Sequence, residues 1–270
     1  MFEYFKQAKR FEIKALARLN EMGALERLYP NPRPGFSESL KRKAEADGLA
    51  VIAEYKRASP SQGDIALSVP PALAAQGYAA SGAAALSVLT EKSKFKGKLG
   101  FLEKIRAGFE SGTQIPLLRK DFIFHPLQVR ATALTPASAL LLIVKLSPSA
   151  ATLRELRLLA QGFGLEAVVE ILDETDLALA RESGAEIIQV NARDFSDLSV
   201  DLNRSLALAC RRREGEIWIA ASGVSKPDDL KRVRAAGFTA ALVGTALMRG
   251  GDPAGALRRL TSKLGDGENP

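Results

Sequence analysis

Charged side chains stand at the ends of several short apolar runs in this 270-residue chain, where they could act as acids, bases or ligands of an anion. Glu54 ends one such run, and Glu170 lies among valines and isoleucine in another. An unpaired carboxylate in apolar surroundings is costly. Lys56 and Lys120 follow neighbouring runs and could neutralise both. We therefore predict that two carboxylates and two lysines share one pocket, where they could transfer protons.

Small and hydroxyl-bearing residues end the last two apolar runs, as Ser222-Gly223 and Gly244-Thr245. Glycine lets backbone N–H groups approach phosphate oxygens closely. The cationic segment 56–63, KRASPSQG, is predicted to be a lid that brings charge to such an anion. The net charge of +7 also suits an anionic ligand, although composition cannot distinguish a small anion from a polyanion.

The apolar runs indicate the strands that position these groups. They are mostly continuous, as is typical of parallel strands covered on both faces, and helical segments separate them. The predicted strands are 49–54, 84–89, 115–119, 139–144, 167–171, 187–190, 217–220 and 240–243. The helical segments include 70–80, 153–161, 176–181, 203–212 and 226–235. Eight such units predict an α/β fold, a closed (β/α)8 TIM barrel with its reactive groups where the strands end. A doubly wound open sheet is the alternative, but no G-x-G-x-x-G follows the first run.

Residues 1–48 are predicted to form a peripheral helical extension, and residues 49–270 the barrel, within a single domain overall. Ser37 is the predicted cap of a second helix over 38–46. No segment reaches the roughly 18 consecutive apolar residues of a membrane helix, and the first ten residues do not resemble a signal peptide. We therefore expect a cytoplasmic protein with no membrane partner.

The single His and single Cys exclude sites that need several imidazoles or thiolates. His125 precedes Pro126 and is predicted to cap a helix or face solvent. Cys210 is predicted to lie in the core or on a helix surface, without a role as a nucleophile.

Several motifs in register resemble the indole-3-glycerol phosphate synthase family, from about residue 36 to residue 260. The longest is IAEYKRASPS at 52–61, with Gly63 after it. The others are SVLTE at 87–91, LRKDFI at 118–123, NARD at 191–194, SG at 222–223 and VGTALM at 243–248. The resemblance implies ring closure, decarboxylation and dehydration of 1-(2-carboxyphenylamino)-1-deoxyribulose 5-phosphate in tryptophan biosynthesis. It also implies that neither a cofactor nor a metal is used.

The resemblance further implies roles for individual residues. Lys120 is the general acid at the substrate carbonyl, and Glu170 is the acid–base group for dehydration. Lys56 pairs with the substrate carboxylate and can also deliver a proton, while Glu54 and Asn191 orient hydroxyls and the lysines. The expected substrate- and phosphate-binding residues are Ser59, Phe95, Arg193, Ser222, Gly223, Gly244 and Thr245. Phe122, Leu142 and Ile143 are further candidates for apolar walls, with core packing as the alternative for the last two.

The chain departs from the family pattern at several positions, and one of these departures weakens the expectation of full synthase activity. The family usually has Glu where this chain has Ala221, so one carboxylate of the expected site is missing. Lys98, the segment 125–128 and the segment 136–138 also differ, without an evident link to chemistry. The alternative is therefore a divergent barrel paralogue with weakened or altered activity on a related sugar phosphate.

A nucleic-acid-binding protein is the third possibility, since Arg211, Arg212 and Arg213 are consecutive. The chain lacks the aromatic–basic interleaving that stacks bases. We therefore predict a small anionic sugar phosphate as the partner, no nucleic acid, and a monomer or weak homo-oligomer.

Overall fold

The computed structural model describes residues 1–110, 115–147, 149–262 and 264. Within these residues, eight parallel strands close into a barrel in which each strand pairs with its neighbours in sequence and the last pairs with the first. The barrel strands are β1 Ala50–Tyr55, β2 Ala85–Leu89, β3 Leu117–Ile123, β4 Ala139–Ile143, β5 Glu166–Ile171, β6 Ile187–Asn191, β7 Ile217–Ala221 and β8 Ala240–Val243. The predicted (β/α)8 barrel is confirmed, and the open sheet is wrong.

Helices surround the barrel and connect its strands. They are α1 Phe2–Glu21, α2 Phe36–Asp47, α3 Pro71–Ala80, α4 Phe101–Ala107, α5 Pro126–Ala133, α6 Ala150–Gly162, α7 Glu174–Glu182, α8 Leu202–Leu208, α9 Pro227–Ala235, α10 Thr245–Met248 and α11 Pro253–Thr261. Short 3-10 turns cover Val144–Leu146 and Ala209–Arg211, and Ala58–Ser59 pairs with Gly63–Asp64 in a small antiparallel hairpin. Among the helices in the described ranges, none is long and apolar enough to cross a membrane.

The predicted boundaries differ from the observed ones by a few residues at most sites. The third strand continues to Ile123, four residues beyond its predicted end. The helix predicted over 203–212 stops at Leu208 and tightens into the 3-10 turn. The division of the chain at residue 48 stays a prediction, and the end of the predicted barrel region, at 263 and 265–270, lies outside the described residues.

Side chains alternate between the two faces of each strand, and they therefore form two separate layers of hydrophobic core. Ile52, Leu118 and Val168 belong to the cluster inside the barrel. Their outward neighbours, such as Val51 and Val169, pack in the cluster between barrel and helices. Because side chains alternate with a period of two, residues 54, 120 and 170 must point inward, at the carboxyl ends of their strands. The barrel interior is therefore apolar below residues 54, 120 and 170, and these residues form a charged layer at its mouth.

The third strand bulges where it reaches the mouth. Its register with the fourth strand passes from Arg119 opposite Leu140 to Ile123 opposite Leu142. Residues 120–122 therefore stand opposite a single residue of the neighbouring strand. Bulges of this kind redirect side chains at barrel rims, and here three consecutive side chains line the central cavity.

The first helix reaches across this mouth, so the expectation that it is peripheral is wrong. The ring of Phe5 is fully buried and stacks on Phe122 at 3.6 Å between centroids. The Lys9 Nζ lies 2.7 Å from an Asp121 carboxylate oxygen. Arg119 approaches the same carboxylate at 3.0 Å. Burial of Asp121 tends to raise its pKa, but Lys9 and Arg119 outweigh burial and lower the pKa to about 2.

The second helix closes the opposite end of the barrel. Phe36 and Leu40 pack in the interior cluster, and the Ser39 hydroxyl donates to the carbonyl of Ala84 at 2.8 Å. The Glu166 carboxylate, where β5 begins, accepts hydrogen bonds from the backbone N–H groups of Phe36 and Ser37. The predicted cap by Ser37 is therefore wrong, because a carboxylate from a distant strand satisfies these donors instead.

We expect Lys9→Met to destabilise the protein by about 3 kcal/mol, because it leaves the buried Asp121 carboxylate with one cation fewer. The Lys6→Met variant is the control, since Lys6 only forms an exposed pair with Glu3 on the same helix. Its cost should stay below about 1 kcal/mol. Urea unfolding at pH 7 measures both, and equal losses would contradict the proposed anchoring.

The same carboxylate should give stability a defined pH dependence. The folded-state pKa of Asp121, about 2, lies below its ordinary 3.8. Its contribution is therefore complete above about pH 4 and is lost as the pH falls toward 2. Asp121→Asn should flatten the loss of stability in this interval, as followed by urea unfolding at a series of pH values. An unchanged acid profile would contradict this assignment.

Candidate active site

A cavity of about 330 Å³ opens at the carboxyl ends of the barrel strands, a size in the range of small-molecule sites. All twelve residues that the sequence suggested for the site line it. They are Glu54, Lys56, Ser59, Phe95, Lys120, Glu170, Asn191, Arg193, Ser222, Gly223, Gly244 and Thr245. Seven of the eight strands and the loops that follow them contribute these residues, so only the closed barrel brings them together.

The first lysine–carboxylate pair joins the end of β1 to the loop behind it. Lys56 Nζ lies 2.9 Å from Glu54 Oε1, and the Glu54 side chain is almost fully buried. The hydroxyl of Ser87 donates to the other carboxylate oxygen at 3.4 Å. Gly244 sits directly against the pair, because a Cβ at this position would overlap Glu54 Oε1 and lie 3.0 Å from Lys56 Nζ. Lys56 therefore stands beside the loop that follows β8.

The second pair joins β3 to β5. Lys120 Nζ lies 3.4 Å from Glu170 Oε2, and Glu170 is 1% exposed. The Gln189 amide donates to the same oxygen at 2.5 Å. The predicted mutual neutralisation of two carboxylates by two lysines is thus present as two separate pairs. Each buried carboxylate has a cation within reach, which removes most of the cost of burying it.

An apolar wall faces these charges. Phe95 and Phe122 line the cavity with their ring centroids 6.2 Å apart, and Leu141 and Ile143 from β4 adjoin them. The Phe95 loop is fixed by Glu91, whose carboxylate accepts from the backbone N–H groups of residues 93, 94 and 95. Leu142 points outward into the layer under the helices, so it is not part of the wall and its alternative, core packing, is confirmed. Adjacent residues of a strand face opposite sides, so Leu142 and Ile143 cannot both line the cavity.

The chain turns sharply at the end of β7. Ser222 and Gly223 have φ angles of +67° and +81°, and a serine rarely adopts this left-handed conformation. Strained backbone of this kind concentrates at functional sites. The hydroxyl of Ser59, in the loop after β1, lines the same cavity, is buried and has no hydrogen-bond partner among the described residues. The loops after β1 and β7 therefore both hold polar groups that can serve a ligand.

The loop after β6 is organised by Asn191. Its side-chain oxygen accepts from the backbone N–H of Arg193 at 3.0 Å, and the Arg193 guanidinium donates to the carbonyl of Leu198 at 2.9 Å. Burial lowers the pKa of Arg193, while the nearby Glu54 carboxylate acts in the opposite direction. Asn191 thus holds the loop that carries a cation into the cavity, and the expected contact between Asn191 and a lysine is not observed among the described residues.

Ala221 lines the cavity between two neighbouring strands, in register with Asn191 and Leu242. It is 2% exposed and belongs to the apolar interior cluster. The methyl group supplies neither charge nor a hydrogen bond. The strands of the described site therefore bring three carboxylates to the cavity, Glu54, Asp121 and Glu170, and a neutral wall on β7. Asp121 is held by Lys9 and Arg119.

Several lining residues were not predicted from the sequence. Met1 reaches the cavity from the first helix, and Phe195 belongs to the loop after β6. Phe195 also packs on Phe2, with ring centroids 4.8 Å apart. Arg249 follows the last motif and donates to the Gln62 side chain at 2.7 Å, which ties the lid segment to the eighth unit. In the sequence, the one sign that Arg249 belongs to the site is that it directly follows the VGTALM motif at 243–248.

The two remaining predictions concern residues outside the cavity. The imidazole Nδ1 of His125 accepts from the backbone N–H of Leu127, so His125 caps α5 as predicted. Cys210 is exposed on the 3-10 turn after α8, which confirms the helix-surface alternative.

Comparisons with known proteins agree with this geometry. A sequence model of the family described as indole-3-glycerol phosphate synthase matches residues 2–260. An indole-3-glycerol phosphate synthase of Magnetococcus marinus is 38% identical over 252 residues, which cover 91% of each chain. An indole-3-glycerol phosphate synthase of a Nocardioides species is 43% identical over 216 residues, 80% of this chain and 81% of the relative.

Solved structures support the fold. A crystal structure of 3-hexulose-6-phosphate synthase superposes with a TM-score of 0.61 at 17% identity, over 79% of this chain and 99% of the other. A crystal structure of KGPDC from Streptococcus mutans gives a TM-score of 0.62 at 12% identity, over 80% of this chain and 97% of the other. At these identities the likeness shows a shared barrel architecture and nothing more.

The family model covers nearly the whole chain, and the relatives align with it over most of their own length. These matches include every strand and loop that lines the cavity. The chain therefore belongs to the indole-3-glycerol phosphate synthase family, a family of carboxy-lyases in tryptophan biosynthesis.

Proposed function

We propose that this chain works as an indole-3-glycerol phosphate synthase whose proton transfers are carried by Lys120, Lys56 and Glu170. The observation that carries the proposal is that two buried lysine–carboxylate pairs, 2.9 Å and 3.4 Å apart, line one cavity with an apolar wall opposite. The substrate has matching parts: an aromatic ring, two anionic groups and a carbonyl at which bond formation needs an acid.

Lys120 is the group assigned to the first step. Attack of the aromatic carbon that bears the carboxylate on the substrate carbonyl leaves charge on the carbonyl oxygen. An ammonium both donates a proton there and stabilises the charge. Lys120 suits this role because the bulge aims it into the cavity beside Phe122, against which the aromatic ring can pack.

Decarboxylation and dehydration complete the reaction. Loss of carbon dioxide returns its bonding electrons to the ring, and departure of the hydroxyl group as water forms the indole double bond. Glu170 is assigned to this dehydration, because it is held by Lys120 and Gln189 and reaches the same cavity. Glu54 holds Lys56 in place, so that Lys56 can pair with a substrate anion or deliver a proton.

The phosphate group is assigned to the rim formed by the loops after β7 and β8. Ser222, Gly223, Gly244 and Thr245 supply backbone there, and consecutive N–H groups in a left-handed turn form concavities that bind anions. Ser59 adds a buried hydroxyl, unpaired among the described residues, that can donate to the anion. Arg193 adds a cation, and Asn191 fixes its loop.

The remaining aspects of the proposal concern partners and location. We also propose a monomer or weak homo-oligomer, which the lining of the described cavity by residues of one chain supports, and a cytoplasmic location, which a biosynthetic role supports. We propose no nucleic-acid partner, because Arg211 is engaged by Glu174 at 3.1 Å and Arg212 donates to the carbonyl of Gly237. Arg211 and Arg212 thus serve contacts within the protein.

Lys120→Met should lower turnover of the carboxyphenylamino-deoxyribulose phosphate by about a thousandfold, because it removes the proton donor. The increase in indole fluorescence on conversion measures this rate. Lys98→Met is the control, since Lys98 is exposed near the same end of the barrel and does not line the cavity. Wild-type protein without turnover, or equal rates for both variants, would refute the proposed function.

Gly244→Ala should reduce kcat/KM by about a hundredfold, because the new methyl group would displace the Glu54–Lys56 pair. Gly162→Ala provides the control, because nothing lies within 4 Å of a Cβ at that helix end. If the first substitution is as harmless as the second, then the position of this pair is not important for the reaction.

Ala221→Glu should raise turnover by about tenfold or more, because a carboxylate on β7 would again orient substrate and lysines, as the family pattern implies. Ala221→Gln has nearly the same size and no charge, and it should not raise turnover. Steady-state kinetics on both variants tests the point. If neither variant is faster, the neutral β7 wall is compatible with full activity, which would count against a weakened enzyme.

A further inference from the structure

Gln189 is a buried polar residue in the charged layer at the barrel mouth. In the proposed reaction it has no role beyond its bond to Glu170. It is fully buried on β6, two residues before Asn191 on the same inward face, and it is in register with Glu170 on β5. Its side chain lies beneath the cavity rather than along it, since the lining residues do not include it. A position of this kind suits contact with Glu170 from below, without contact with substrate.

The hydrogen bonds of Glu170 are unevenly shared between its two oxygens. Oε2 accepts from Gln189 at 2.5 Å and from Lys120 at 3.4 Å. Within the described part of the chain, no donor reaches Oε1, and the residue borders the cavity. Two donors from different strands thus fix one oxygen and leave the other for a ligand.

The other end of the Gln189 amide is left without a partner. Its Oε1 is buried and accepts no hydrogen bond from the described residues. Rotating the amide by half a turn would set its oxygen against the Glu170 carboxylate, so the N–H group must face Glu170. A purely apolar side chain would avoid the unsatisfied oxygen, because buried acceptors without donors destabilise a fold. Since the unsatisfied oxygen costs stability, its presence indicates that glutamine is needed here for its N–H group, which bonds to Glu170.

We propose that Gln189 is a positioning residue for Glu170: from beneath the cavity it holds Oε2, together with Lys120, so that Oε1 faces the substrate. This inference rests on the proposed role of Glu170 in dehydration. Gln189 therefore sets the direction of the carboxylate, although it does not touch the reacting atoms.

The elements around Glu170 offer few other groups that could orient its carboxylate in place of Gln189. On the neighbouring strand β4, Leu141 and Ile143 face the cavity and carry no charge. On the other side, β6 contributes Gln189 and Asn191. The charged groups that share the cavity with Glu170 are Glu54, Lys56, Lys120, Asp121, Arg193 and Arg249. Of these described groups, Lys120 is the one that bonds to Glu170, and it is unchanged in the variants below.

The test compares Gln189→Met with wild type in kcat, KM and thermal stability between pH 5 and 9. Methionine keeps the length of the side chain and removes both the donor and the unsatisfied acceptor. We expect kcat lower by about tenfold and KM unchanged within about twofold. The midpoint of thermal unfolding should change by only a few degrees, because losing a donor to the buried carboxylate and removing the unsatisfied acceptor act in opposite directions.

Gln189→Glu distinguishes positioning from packing. Below the pH at which the new carboxyl ionises, its O–H can donate to Glu170 Oε2 in place of the amide. Above that pH, two adjacent carboxylates repel. We expect kcat near the wild-type value at the acid end and a steep loss toward pH 9, where wild type stays active. A merely structural residue would not reverse the pH profile in this way.

Gln128→Met serves as the matched control. Gln128 is equally buried, but its side chain bonds to the backbone of residues 122, 124 and 125. This variant should lower thermal stability more than it lowers kcat. If Gln189→Met shows the same pattern as Gln128→Met, or leaves kcat unchanged, the proposal for Gln189 is wrong.

Glu170→Gln separates this proposal from the proposed function. If Glu170→Gln turns over as fast as wild type, then the assignment of Glu170 fails, and Gln189 has no acid–base group to position. If Glu170→Gln is slow while Gln189→Met equals wild type, the assignment of Glu170 stands and only the positioning role is refuted. Slow turnover in both, together with the reversed pH profile of Gln189→Glu, supports both proposals.

Discussion

The pairing of buried carboxylates with lysines inside the barrel determines how this protein is built. A parallel barrel normally fills its interior with aliphatic side chains, and here the lower layers do so with residues such as Ile52 and Val168. At the mouth the same inward positions carry Glu54, Lys120 and Glu170. Each carboxylate would destabilise the barrel alone, so each needs a cation from a different strand or from the adjoining loop. Glu170 receives its cation from β3, across the barrel interior, whereas Glu54 receives one from the loop directly after its own strand.

The charged layer depends in turn on support from outside the barrel. Lys120 is flanked in sequence by Arg119 and Asp121, and these two bind each other beside the bulge. Lys9 of the first helix completes that group with a bond to Asp121. The reactive lysine is therefore fixed between an apolar interior and an ion-pair network that the first helix completes. Phe5 stacks on Phe122 in the same region, so this helix contributes to the shape of the site as well as to stability.

The order and type of the elements could be predicted from the sequence because eight apolar runs at regular spacing fit one architecture. The twelve cavity residues could be named because strand ends in such a barrel converge, and because the motif around Lys56 is long. Contacts between distant segments could not be predicted. Glu166 replaces Ser37 as the partner of the second helix, and Phe5 reaches the mouth. Leu142 was a wrong candidate for the cavity wall because adjacent residues of a strand face opposite sides, so of Leu142 and Ile143 only one can reach the cavity. Gln189 gave no sign in the sequence, since an amide within an apolar run can equally be a satisfied core residue.

The docking of the first helix has a consequence for how the chain folds during synthesis. Phe2 and Phe5 are made early, yet their partners Phe195 and Phe122 belong to segments translated much later. Such non-local contacts form late, because many residues must be ordered first. Until the third unit is made, Phe5 has no partner, and Phe2 has none until the sixth, so apolar side chains of this helix are available to chaperones or to other chains. The first helix therefore completes its docking only after most of the barrel exists.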